Sequence, residues 1–203
     1  MSDIQAILAK LSEFDFIVVV DKSGSMGTED IKGGRSRWNH VQETALQFTR
    51  EISKIDSDGL GLVLFSGTSI DSYDGVDATK LQQAFDSHKP RGGTPLAEAL
   101  TAAFQLAGKS DKKDFIIVFT DGVPDDKAAA AKVIVDQANS QANDDDCTIL
   151  FVQVGYDKDA AAYLQSLDDG LKAAKFDIVD AKTQEEAEQF ASTEELIIAA
   201  IND

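Results

Sequence analysis

The sequence predicts an α/β fold, a mostly parallel sheet with helices on both faces. Two observations carry this. Short and almost unbroken apolar runs recur along the chain, among them FIVVV, GLGLVLF, FIIVF and TILFVQV. Strands of that composition are buried on both faces, as in parallel sheets. Between them lie longer stretches whose apolar residues fall at steps of three and four, which is the spacing of one helix face. The two patterns alternate, with no Pro/Gly/Ser-rich linker and no repeat, so the 203 residues are expected to form one doubly wound domain, 1–203.

The elements follow in order. FDFIVVV (14–20) reads as the first buried strand. From Trp38 to Ile55, the residues Trp38, Val41, Ala45, Phe48, Ile52 and Ile55 share a helix face. GLGLVLFS (59–66) is a second buried strand, and the polar SIDSYDG (69–75) an edge strand or hairpin arm. A short helix over 78–86 carries Leu81 and Phe85, and a second over 95–107 buries Leu96, Leu100, Ala103 and Phe104. DFIIVFT (114–120) is the third core strand, 126–142 an alanine-rich helix and CTILFVQVG (147–155) the next strand. A helix over 157–169, a strand over 176–180 and a last helix over 183–201 complete the pattern.

The net charge of -17, from 36 acidic against 19 basic residues, narrows the partners. Such a surface repels phosphate backbones and anionic lipid, which argues against nucleic acid, and it favours divalent cations and basic protein surfaces. Solubility alone is the plainer reason for most of the charge. Cys147, the single cysteine, sits in a predicted strand and is expected to be an inert core thiol. The first residues lack the basic start and apolar core of a signal peptide, and the apolar runs are too short to cross a bilayer. The expected location is cytoplasmic.

In an open sheet of this kind, ligands bind at the carboxyl ends of the strands, so the chemistry is expected just after Val20, Phe65, Thr120 and Val154. After the first strand come Asp21, Ser23 and Ser25. Alternate side chains of an extended segment face one way, so three oxygens can converge, with Gly24 and Gly27 letting the loop bend. Asp121 follows the third core strand, and Thr94 stands in GGTP at a helix entrance. Two carboxylates and three hydroxyls suit Mg²⁺, Ca²⁺ or Mn²⁺ rather than zinc or copper. Each residue also has an ordinary reading. Thr94 before Pro95 is a good helix N-cap, Asp121-Gly122 a common turn, and Ser23 and Ser25 can satisfy loop amides.

DKSGSM, GGTP and FTDG, in this order and at these separations, resemble the metal-ion-dependent adhesion site (MIDAS) of von Willebrand factor A domains. The resemblance covers about residues 12–200. It implies a three-layer α/β/α fold, with six strands of which one edge strand, 69–73, is antiparallel. It also implies that Ser23 and Ser25 bind the metal directly. Thr94 would bind it directly or through water, and Asp21 and Asp121 would hold metal-bound waters. A cation held by neutral hydroxyls keeps most of its charge and attracts a carboxylate, so the implied function is capture of an acidic residue of a partner protein.

Two stretches depart from the extracellular members. MGTEDIKGGRSRW, after Ser25, is long enough to form a lip in which Arg35 and Arg37 offer donors to a partner carboxylate, or it is a plain surface loop. ILFVQVGYDKDAAAYLQSLDD resembles the intracellular copine and bacterial tellurium-resistance branch, which implies partners such as AAA+ ATPases or stress-response complexes. A Mg²⁺-dependent phosphohydrolase of the haloacid-dehalogenase type is the enzymatic alternative, with Asp21, Thr94 and Asp125 or Asp126 in its order. Its second aspartate, however, is replaced by Ser23. A metal-free scaffold is the third. His40 and His88 are expected in helix packing or on the surface, so no enzyme is expected. The acidic runs 56–59, 71–77 and 143–146 lack the full spacing of a calcium loop and read as solvated turns.

Overall fold

A computed structural model describes residues 3–203. Six strands form one sheet: β1 (Phe14–Asp21), β2 (Leu60–Ser66), β3 (Ser69–Val76), β4 (Lys113–Thr120), β5 (Cys147–Gln153) and β6 (Val179–Lys182). Their spatial order is β3-β2-β1-β4-β5-β6, with β3 antiparallel to β2 and every other pair parallel. The alternation within β1 divides the core. Phe14, Phe16, Val18 and Val20 face one layer, and Ile17 and Val19 the other.

On the first face lie α1 (Asp3–Leu11), α2 (Arg37–Ile52), α3 (Ala78–Asp86) and α8 (Thr193–Ile201), contributing Leu11, Val41, Phe48, Phe85 and Ile197 to the core. On the second lie α4 (Leu96–Leu106), α5 (Lys127–Ser140) and α6 (Lys158–Asp168), with Leu100, Ile134 and Leu164. Cys147 is buried in this layer, and burial pushes its thiol well above the ordinary range. No helix among the described residues is long and apolar enough to cross a membrane.

Three expectations need correcting. The last helix is two. A short α7 (Gln184–Ala187) begins at Thr183, whose hydroxyl and Glu186 form a reciprocal cap. A second start at Ser192, which accepts from the Glu195 amide, opens α8 as a separate helix. The last strand begins at Val179, not 176, because pairing with β5 runs from Ile149↔Val179 onward. Phe104 is half-buried against the core rather than within it. The N-terminal helix α1 went unassigned in the sequence, although its Ile7 and Leu11 pack on the first face.

Candidate functional site

The strand order reverses between β1 and β4. From β1 the chain turns to β2 on one side, and from β4 to β5 on the other. The carboxyl ends of these two strands therefore flank a crevice, the usual ligand position of a doubly wound sheet. Asp21 ends β1 and is fully buried there. Its Oδ1 accepts from the Ser23 amide at 2.6 Å, and its Oδ2 from Thr120 Oγ1, the end of β4, at 2.8 Å. Burial pushes the Asp21 carboxyl up to about 7; the donors of Ser23 and Thr120 oppose the rise, and the nearby charge of Asp121 adds to it.

Beyond Asp21 the chain makes a single 3-10 turn, Gly24–Gly27. Ser23 Oγ and Ser25 Oγ lie 3.1 Å apart, and Ser25 Oγ donates to Asp121 Oδ1 at 2.8 Å. Asp21, Ser23, Ser25 and Asp121 are thus one connected cluster. The GGTP loop is docked on the same turn, where the Gly24 amide donates to the Gly92 carbonyl at 3.0 Å.

Thr94 is buried in that loop, and it is not the helix cap its sequence suggests. Pro95 occupies the cap position of α4, while the Thr94 carbonyl accepts from Leu96 at 2.9 Å. Among the described residues the Thr94 hydroxyl makes no hydrogen bond. Asp125 fixes Thr94 in both directions. Its Oδ2 accepts from the Thr94 amide at 2.9 Å, and its own amide donates to the Thr94 carbonyl at 3.0 Å. Asp125 and Asp126 both precede the helix over 126–142 and both read in sequence as its caps; the structure gives that role to Asp126 alone, which accepts from the Ala129 amide. A Cβ at Gly93 would lie 2.7 Å from Asp125 Oδ2, so any side chain there would push that carboxylate aside.

The lip folds on itself through an Ile31–Arg35 bridge and an Arg37 amide bonded to the Thr28 carbonyl, with Ile31 buried beneath it. It brings Arg37 to the cluster. Arg37 Nη1 donates to Asp121 Oδ2 at 2.9 Å, and Nε and Nη2 grip Asp30 at 2.9 and 2.5 Å. Gly155, at φ +82°, lets the guanidinium pass, because a Cβ would lie 2.6 Å from Arg37 Nε. Arg35 points elsewhere. It pairs with Glu43 on α2, beside a recess of about 430 Å³ that His40 and Phe190 also line. His88 packs its Nδ1 on the Ala84 carbonyl and its Nε2 on Asp71, 3.2 Å away.

Sequence reading missed four residues that shape this site: Lys22, Asp30, Thr120 and the true role of Asp125. Thr120 had a signal, a hydroxyl closing an apolar strand beside Asp121. Lys22 had none, because a lysine in a loop reads as solvated, yet its side chain is 2 % exposed.

The donors fit a hard divalent cation. Among the described residues no three His, Cys, Asp or Glu side chains gather to hold a metal; the oxygens here are those of two carboxylates and of hydroxyls. Octahedral Mg²⁺ takes oxygens at about 2.1 Å, which places neighbouring ligand oxygens about 3.0 Å apart. The Ser23–Ser25 oxygen separation, 3.1 Å, is close to that value.

The family model for the von Willebrand factor type A domain matches residues 16–123, from β1 to just past Asp121. The chain belongs to this family. Solved structures agree on the fold of this von Willebrand factor A domain. The D319A mutant of the PilB minor pilin from Streptococcus sanguinis has a TM-score of 0.64 at 14% identity, covering 94% of this chain and 60% of the pilin. The SpRpn10 VWA domain has 0.64 at 13%, covering 91% and 93%. Manganese-loaded Plasmodium vivax TRAP protein has 0.55 at 19%, covering 87% and 71%. The chain thus spans only part of the pilin, and 30% of the SpaC pilus adhesin of Lactobacillus rhamnosus GG. A comparison with curated proteins gives no match.

Proposed function

We propose that this domain is a protein-interaction module with a MIDAS, in which Asp21, Ser23, Ser25, Thr94 and Asp121 hold a divalent cation and an aspartate or glutamate of a partner protein is captured there. The observation that carries the reading is the oxygen cluster of Ser23, Ser25 and Asp121 at the point where the strand order reverses. Mg²⁺ is the first candidate, with Mn²⁺ and Ca²⁺ as alternatives. A bound cation supplies an open, positively charged position that a foreign carboxylate completes. The chain's own residues prepare it. Thr120 and the Ser23 amide hold Asp21, and Asp125 holds Thr94. Neutral hydroxyls do not cancel the cation's charge, which matters in a protein of net charge -17 that would otherwise repel an acidic partner.

The phosphohydrolase reading is disfavoured by Ser23, which stands two residues after Asp21, where that mechanism needs a second aspartate as its acid and base. Resemblance to the copine and tellurium-resistance branch supports a cytoplasmic partner, such as an AAA+ ATPase or a stress-response complex.

Calorimetric titration of Mg²⁺, Mn²⁺ and Ca²⁺ into wild type and Ser23→Ala tests the site. Saturable heats in the wild type that are lost in Ser23→Ala are expected. Identical heats from both proteins would leave the metal-free scaffold as the better reading, and Mg²⁺-dependent phosphatase turnover would favour the enzyme.

A further inference from the structure

Arg37 puts a positive charge where a divalent cation is expected to be drawn. Its guanidinium stands between two carboxylates. Nη1 donates to Asp121 Oδ2 at 2.9 Å, while Nε and Nη2 hold Asp30 on the lip. The Asp121 side chain is fully buried and that of Arg37 is 12 % exposed, so water screens their contact poorly. Arginine stays charged at any pH the protein meets. Asp121 is therefore shared. Its Oδ1 faces Ser25 and the hydroxyl cluster, and its Oδ2 is already engaged by a cation belonging to the chain.

We propose that Arg37 is a tethered competitor for Asp121, weakening the site's hold on its divalent ion, and that Asp30 sets the strength of that competition by drawing the guanidinium toward the lip. The inference rests on the metal-site reading above, and it gives the lip a definite role, that of setting the cation concentration at which the site fills. Arg37 is a positioning residue here, acting through Asp121. Two substitutions then move affinity in opposite directions. Removing the arginine charge strengthens cation binding, because Asp121 loses its internal partner. Removing the Asp30 charge weakens cation binding, because the guanidinium then relies on Asp121 alone. A lip that merely covered the site would respond alike to both changes, since each breaks the same Arg37–Asp30 pair.

The test is Mn²⁺ binding, read as free Mn²⁺ by electron paramagnetic resonance, on wild type, Arg37→Gln, Arg37→Lys, Asp30→Asn and Ser23→Ala. Far-UV circular dichroism checks each fold. Arg37→Gln should bind Mn²⁺ on the order of tenfold more tightly than wild type, Arg37→Lys close to wild type, and Asp30→Asn several-fold more weakly. Arg37→Gln binding equally or more weakly, or shifting in the same direction as Asp30→Asn, overturns the inference. Should Arg37→Gln fail to fold, Asp30→Asn decides alone, and unchanged or tighter binding by it overturns the inference. Saturable binding lost only in Ser23→Ala, with Arg37→Gln and Asp30→Asn like wild type, removes this inference and leaves the metal site standing. Indistinguishable wild type and Ser23→Ala remove both.

Discussion

Thr120 Oγ1 donates to Asp21 Oδ2 at 2.8 Å, joining the ends of the two strands between which the sheet reverses. The bond crosses the floor of the crevice and keeps a fully buried carboxylate facing the Ser23 turn. An isosteric Thr120→Val change keeps the volume but leaves one Asp21 oxygen without its donor. It should cost about 1–2 kcal/mol, the usual penalty for a buried acceptor stripped of its partner. Urea unfolding of wild type, Thr120→Val and Thr120→Ser checks this. Thr120→Ser keeps the hydroxyl and should stay closer to wild type than the valine variant; equal losses in the two would mean that packing of the methyl group, not the bond, is what counts.

Asp125 makes a separate prediction, because it lies outside the proposed donor set yet holds Thr94 at both its amide and its carbonyl. Asp125→Ala frees the GGTP loop and should weaken Mn²⁺ binding at least several-fold, with a stability loss of about 1–2 kcal/mol. Gly93→Ala should mimic it from the other side, because the added methyl would lie 2.7 Å from Asp125 Oδ2. Mn²⁺ titration and thermal unfolding of both variants are the measurements. Wild-type Mn²⁺ affinity in Asp125→Ala would show that the strap does not position Thr94.

These two cases mark what the sequence revealed and where it stopped. The apolar runs placed every core strand to within one or two residues, because burial on both faces leaves a composition that nothing else in the chain imitates. The ends of β1 and β4 followed from topology, and with them Asp21, Ser23, Ser25 and Asp121. Asp125 was not legible in that role. Aspartates at 125 and 126 both read as helix caps, and only the fold of the GGTP loop, 31 positions earlier than Asp125, decides which one is drawn away. The break at 188–192 was hidden for a related reason. Ala187, Phe190, Ile197 and Ile201 keep helical spacing across it, while the cap at Ser192 is a local hydrogen bond that periodicity does not register.

Asp114 gives a pH dependence with a definite sign. Burial pushes its carboxyl up to about 6 from 3.8, partly opposed by the Gly108 amide at 3.0 Å and reinforced by the charge of Asp15. The folded state therefore binds the proton more tightly than the unfolded chain. The stability this contributes is complete below about pH 4 and is lost as pH rises toward and through 6. Asp114→Asn cannot ionise, so wild type should lose on the order of 2–3 kcal/mol relative to it between pH 4 and pH 7. Taking the difference between the two proteins removes the carboxylates whose ionised forms the fold favours, such as Asp30 and Asp146, since both proteins share them. A constant difference across that range would refute the assignment.

Lys22 yields the last prediction. It directly follows Asp21, and its chain turns into the protein toward the edge strand β3 instead of toward solvent. Its Nζ donates to Ser69 Oγ at 2.7 Å and to Ser66 Oγ and the Ser69 carbonyl at 3.2 Å, and lies 3.3 Å from Asp71 Oδ2. Asp71 in turn meets His88 Nε2 at 3.2 Å, so one ammonium links the end of β1, the β2–β3 turn and the loop before GGTP. Lys22→Met keeps most of the buried stem and removes the charge. Ser69 Oγ then loses this donor, Ser66 Oγ keeps the Thr68 amide, and among the described residues Asp71 keeps His88 and Ser69. Asp71 is about one-third exposed, at 30 %, so water screens part of the lost attraction and the cost should be about 2 kcal/mol rather than that of a fully buried pair. β3 is an antiparallel edge strand with pairing on one side only, so the loss should concentrate there. Amide hydrogen exchange by Ser69–Val76 should accelerate in Lys22→Met far more than exchange in β4 and β5. Uniform acceleration across the sheet would mean that Lys22 supports the whole core and does not specifically anchor its edge.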